Sequence, residues 1–179
     1  MHFTQRIKKG RHFSKPFWRP FRFRPQEFVF TNLSLDYVLD QQSDQADINK
    51  LIGVSVGYRE PRYDSRMVGW SYDPKNDIIN FYLYSHHPQL RSESNPYGVD
   101  KKHLLAIDND VYGLVVINFT YDKVELMVST KNNSYMRSIA SYTIALPKVF
   151  LRMIFPYFGG NQKAPRDFKF SFLMNKHKK

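Results

Sequence analysis

The chain has no cysteine in its 179 residues, so neither disulfides nor cysteine-ligated zinc can contribute to its stability. No apolar run approaches the roughly eighteen residues a membrane helix needs, and the N-terminus lacks the uninterrupted apolar core of a secretory leader. The expectation is a protein that does not insert into a membrane. Glycine is sparse, with eight residues, and neither GLVVIN nor FGGN has the spacing of a phosphate-cradling loop, so no nucleotide cofactor is expected. Acidic residues are missing altogether from the first twenty-five positions.

Charge and aromatics fill that gap. The formal net charge is +11, and the opening segment carries Arg6, Lys8, Lys9, Arg11, Lys15, Arg19, Arg22 and Arg24 interleaved with Phe3, Phe13, Phe17, Trp18, Phe21 and Phe23. A one-signed segment this short cannot bury its own aromatics. It reads as an extended basic arm that lies on the body of its own chain, on a neighbouring subunit or on a polyanion. As an assembly arm its aromatics supply anchors and its arginines pair with carboxylates. Contact with nucleic acid through the same cations would depend strongly on salt. Residues 1–25 are therefore set apart from a body at 26–174, and a basic tail at 175–179, ending in KHKK, closes the chain.

Aromatic residues make up 16% of the chain, and many fall in alternating runs that favour strands. Strands are expected at Glu27–Asn32, with the alternation continuing through Leu33, Leu35 and Tyr37, and at 51–58, 67–72, 78–84, 112–121, 124–129, 139–146 and 168–173. The stretch 86–102 is rich in turn formers and reads as a long loop. In the 78–84 strand, Ile79, Phe81 and Leu83 should meet the core, while Tyr82 and Tyr84 face the other way. With no convincing helix, these strands make an all-β, two-sheet sandwich or jelly roll.

The candidate chemistry is modest. Trp70 and Tyr72 lie two apart on one strand, across a turn from Tyr82 and Tyr84. Together they form an aromatic stripe that either packs or takes a sugar ring. Tyr82, Tyr84, His86 and Arg91 supply the residue types of a polysaccharide lyase, which abstracts a proton beside a uronate. Glu93, Asp100 and Glu125 are not marked by sequence as a hydrolase pair. Asp108 and Asp110 are weak calcium candidates that read better as turn caps, and His86, His87 and His103 lack metal-site spacing, so no metal is expected.

Three segments carry a family likeness: KLIGVSVGY, SRMVGWSYDPKNDIINFYLY and FPYFGGNQKAPRDFKFSF. They resemble small concanavalin-type or laminin-G-type β-sandwich proteins of Bacteroidetes bacteria and their tailed phages, including crAss-like phages, over most of Leu51 to Leu173. The resemblance implies a two-sheet jelly roll in which Gly159, Gly160, Asn161, Pro165 and Asp167 form a structural turn before the final strand. Relatives of that sandwich include glucanases, lyases and glycan-binding modules, and the Glu-x-Asp-x-x-Glu of the glucanases has no counterpart here. The leading expectation is a non-enzymatic structural protein of a virion, assembled in the host cytoplasm as a tail, neck or capsid-associated component. Its partners would be other virion proteins or copies of itself, docked through the arm. The alternative is a glycan-binding module or lyase that uses the tyrosine-rich face.

Overall fold

A computed structural model describes residues 1–14, 18–20, 26–31, 33–40, 44–57, 61–109, 112–130, 133–144 and 151–176. They form an all-β sandwich of two antiparallel six-stranded sheets. The strands are β1 (His2–Ile7), β2 (Trp18–Pro20), β3 (Gln26–Thr31), β4 (Asn49–Val56), β5 (Ser65–Asp73), β6 (Ile78–His86), β7 (Val99–Asp108), β8 (Tyr112–Phe119), β9 (Lys123–Thr130), β10 (Asn133–Thr143), β11 (Leu151–Ile154) and β12 (Phe168–Lys176). The first sheet runs β1-β12-β3-β8-β9-β10 and the second β2-β11-β4-β5-β6-β7. A 3-10 turn spans Pro88–Leu90, and no helix among the described residues is long and apolar enough to cross a membrane.

Period-two patterning explains which face each sheet buries. In β12, Phe168, Phe170 and Phe172 point inward and are fully buried, while Lys169 and Leu173 are exposed. Phe28 and Phe30 do the same from β3, and Ile79, Phe81 and Leu83 from β6. Trp70 closes the layer from the opposite sheet, its ring edge-on to Phe170 at 5.7 Å. Each such side chain contributes about 1.5–3 kcal/mol on removal from water. The 33–39 stretch keeps its alternation without joining a sheet: Leu33, Leu35, Tyr37 and Leu39 are buried, and Ser34 and Val38 are exposed.

The leading segment requires a correction. It is extended and basic, but it is not separate from the body, and the boundary expected after residue 25 does not divide the structure. Residues 2–7 pair in full register with Leu173–Phe168, and residues 18–20 pair with β11, so the segment gives an edge strand to each sheet. Ile7 is buried in the core, Phe3 stacks on Phe172 at 5.4 Å, and Arg6 forms an ion pair with Asp167. Gly10 donates to Ala164 O at 2.9 Å, and Lys9 N to the Asp167 carboxylate at 2.7 Å. The inward alternation of Phe3, Gln5 and Ile7 was obscured by the polar Gln5 in its middle and by the cations around it. Phe17, Phe21, Arg22, Phe23 and Arg24 lie outside the described residues.

A second strand was not legible either. The edge strand β7 occupies 99–108, where KKHLLAID reads as neither amphipathic nor apolar because an edge position tolerates charge on both sides.

Ile7→Ala should lower the free energy of unfolding by about 2–5 kcal/mol, as for a core residue. Urea denaturation checks this, and an unchanged midpoint would mean that β1 does not belong to the folded body.

Candidate functional site

The outer face of the second sheet is where the polar and aromatic residues collect. Its register places Lys50 opposite Gly69, Gly69 opposite Tyr82 and Tyr82 opposite His103. One residue pair along, Met67 stands opposite Tyr84, and Tyr84 opposite Lys101. Beyond β11 the chain stays beside β4: Lys50 N donates to Tyr157 O and Tyr157 N to Lys50 O, both at 2.9 Å. That bridge puts Tyr157 on the same face.

Lys50 is the unusual group. It is only 5% exposed, its ammonium lies 3.9 Å from the Tyr84 ring centre and 5.1 Å from that of Tyr157, and it donates to Ile48 O. Burial pushes its pKa from 10.5 down to about 7; the nearby Asp47 carboxylate opposes the drop and Lys101 adds to it. Burial also pushes the Tyr84 and Tyr157 hydroxyls up, which keeps both phenols neutral. Asp47 is itself raised, first by burial and then by Asp44. Around neutral pH the centre of this face therefore holds a partly deprotonated amine set against the rings of two neutral phenols.

Glycines make this packing possible. A Cβ on Gly69 would fall 2.5 Å from Ile48 Cγ2, and one on Gly159 would stand 3.2 Å from Lys50 Nζ. Gly160 takes the left-handed region at φ +74, with the Asp47 carboxylate where a side chain would go. Within the expected turn, Gly159 N donates to Asn49 Oδ1 at 2.8 Å, Asp167 anchors β1, Pro165 is half-buried and Asn161 is exposed.

His86 follows Tyr84 on the same face, their rings edge-to-face at 5.3 Å. Its Nδ1 donates to Tyr97 O at 3.0 Å, which leaves Nε2 as the lone-pair side, and burial pushes its pKa below the usual value. Opposite it stands Ser65, and opposite Ser65 stands Ser55. Both hydroxyls are buried without a hydrogen-bond partner among the described residues. His103 Nε2 meets Asn80 Oδ1 at 3.1 Å.

The expected aromatic stripe divides in two. Trp70 pairs with Phe81 rather than Tyr82, so it faces the core, fully buried, with Nε1 donating to Leu35 O at 3.1 Å. A one-residue difference in register is enough to move a side chain to the other face. Tyr72 lies on the core side as well, at the sheet end, and its hydroxyl donates to Asp77. Tyr82, Tyr84 and His86 remain together on the outer face. Arg91 instead staples two loops: its Nη2 donates to Tyr63 O at 3.0 Å and its guanidinium covers the Tyr63 ring at 4.8 Å. Asp108 ends β7 opposite Ile78, whereas Asp110 lies outside the described residues. Among the described residues no three His, Asp or Glu side chains group as metal ligands.

Sequence reasoning missed Lys50 and Tyr157. Lys50 ends the acidic and polar run DQQSDQADINK, which reads as a surface loop, although a lone lysine leading into the apolar run LIGVSV was a signal of burial. Tyr157 was hidden in a turn motif.

No protein-family model and no curated protein matches the chain. Solved structures do resemble it. An alginate lyase from Klebsiella pneumoniae superposes with a TM-score of 0.53 at 10% identity, covering 85% of this chain and 60% of that one. This chain thus spans less than two thirds of the lyase's length. A protein of unknown function from Saccharomyces cerevisiae gives a TM-score of 0.51 at 10% identity, covering 98% and 88%. At that identity the likeness is one of fold.

Lys50 also sets a pH dependence. Between about pH 7 and 10.5 the unfolded chain holds a proton that the folded chain has released, so stability rises with pH across that window. One pKa unit is about 1.4 kcal/mol, which makes the full rise several kcal/mol. Above pH 10 the buried tyrosines act the other way, because Tyr37, pushed up to about 12 by burial, ionises first in the unfolded chain. Lys50→Met should flatten the rise, read from urea midpoints between about pH 6 and 9. Parallel curves for the two proteins would contradict the burial of this amine.

Proposed function

We propose that the chain is a glycan-binding sandwich whose ligand, an acidic polysaccharide, lies on the outer face of the second sheet. The observation that carries this reading is the Lys50 amine set between Tyr84 and Tyr157, with Tyr82 and His103 in the same row. Phenol rings offer apolar faces to the C–H side of a sugar, and the amine and imidazole offer donors to its carboxylate. Exposed Lys101 beside them and a net charge of +11 favour a polyanion over a neutral chain. The fold likeness to an enzyme that acts on alginate, a polyuronate, points in the same direction.

A second reading is lyase chemistry, favoured by the partly neutral Lys50 amine and the free Nε2 of His86. Either could accept the C5 proton of a uronate while the C4–O bond breaks and a double bond forms between C4 and C5; a neutral phenol, Tyr84 or Tyr82, would return a proton to the leaving oxygen. The virion-docking role remains a third proposal. Its support is narrower, because β1 and β2 are used within the sandwich, which leaves exposed Lys8, Lys9, Arg11 and Phe13 as its described anchors.

Calorimetric titration with oligouronates and with neutral cello-oligosaccharides tests the proposal. Binding should be selective for the uronates, weaken with added salt, and fall by about tenfold in Tyr82→Ala, the upper range for one aromatic contact. Equal or absent binding of both sugar classes would exclude an acidic-glycan site. Ultraviolet absorbance of an unsaturated uronate, rising with wild type and not with Lys50→Met or His86→Ala, would move the assignment from lectin to lyase.

A further inference from the structure

The row that holds Lys50 does not stop at Tyr157. Phe13 forms an isolated antiparallel bridge with Tyr157, which bridges Lys50, so Phe13, Tyr157, Lys50, Gly69, Tyr82 and His103 stand directly opposite one another in sequence across the strands. Residues so paired share a face. Five steps of about 4.8 Å make the row roughly 24 Å long, the length of several linked sugar rings.

Exposure along the row has a profile. Phe13 is 51% exposed at one end and His103 is exposed at the other, whereas Lys50 and Gly69 in the middle are buried. The ends are open and the centre is covered, Gly69 by the Ile48 side chain and Lys50 by the Tyr84 and Tyr157 rings. Phe13 packs its ring against Tyr157 at 5.5 Å between centres, and the segment that carries it is fixed on both sides. His12 Nδ1 donates to Phe158 O at 3.1 Å, Phe158 N to His12 O at 2.7 Å, Ser14 Oγ to Pro156 O at 2.9 Å and Ala164 N to Arg11 O at 3.0 Å. A half-exposed phenylalanine on a ribbon this well tied down is preorganised for contact, since little freedom remains to be lost on binding. Exposed Arg11 next to it and Lys101 beside the far end give both ends positive charge.

We infer that Phe13 is an end subsite of the glycan face, contributed by the leading segment, and that an acidic polysaccharide crosses the strands from Phe13 to His103 instead of running along them. The inference rests on the proposed acidic-glycan function and adds a direction, a length and a terminal contact. The ring of Phe13 stacks on a sugar several units away from the one held at Lys50. Phe13 is therefore irrelevant to short oligomers and matters only once the ligand spans the row.

The test is a length series of oligouronates, dimer to octamer, titrated into the full chain and into Phe13→Ala. Wild-type affinity should climb with length and level off near the pentamer or hexamer. Phe13→Ala should bind the dimer as wild type does, yet lose about 3- to 10-fold on the hexamer. Phe13→Trp should restore the hexamer affinity, and an unchanged melting temperature of Phe13→Ala would show that the loss is not unfolding. Wild-type affinity that rises with length but is equally high in Phe13→Ala overturns the subsite and leaves the glycan face standing. No binding at any length overturns the glycan face itself, and the subsite with it.

Discussion

The structure depends on one backbone junction, where the segment after β11 locks onto the start of β4. Tyr157 and Lys50 exchange two backbone hydrogen bonds, Gly159 N donates to Asn49 Oδ1, and Asn49 Nδ2 donates to the buried Tyr37 hydroxyl at 2.9 Å. This junction sets Tyr157 on the outer face and brings Gly159 against the Lys50 amine. It also presents Pro156 O and Phe158 O to the leading segment. Without it there is neither a cradle for Lys50 nor a support for Phe13. Buried polar networks of this kind are stabilising only when nearly every member is satisfied, and here Asn49 uses both its donor and its acceptor.

Lys50 is costly to the fold. A charged amine out of water with one carbonyl partner is unfavourable, and the ring faces of Tyr84 and Tyr157 offset only part of that. A methionine of similar length would fill the space without the penalty. Another row of the same sheet, ending at His86, keeps Ser55 and Ser65 buried with hydroxyls unpartnered among the described residues. Buried polar atoms without a partner among the described residues occur on Gln5, Gln26 and Asn118 of the other sheet as well, so it is the buried Lys50 amine that sets this face apart as a surface shaped for a ligand.

The architecture was legible because alternation is strong where one face is buried. Phe168, Phe170 and Phe172, and likewise Ile79, Phe81 and Leu83, announced both their strands and their inward faces. Edge strands β1, β2 and β7 were missed, since cations dilute their pattern and β1 gains its order from β12, more than 150 positions away, and the short interior β11 was missed with them. The site was half legible. Tyr82 and Tyr84 could be placed opposite the core from their own strand, but the face of Trp70 depends on cross-strand register, which no single strand encodes. Lys50 could be recognised only once Tyr157 was known to lie beside it.

The clasp made by the opening segment also shapes how the chain must fold. β1 pairs with β12 and β2 with β11, each far along the chain, so both layers close on these edge strands by long-range contacts. Contacts of such long sequence separation are slow to form. A circular permutant that joined the old ends and opened the 87–98 loop would place β12 directly before β1, and the sandwich would then mature by a hairpin instead of a long-range capture.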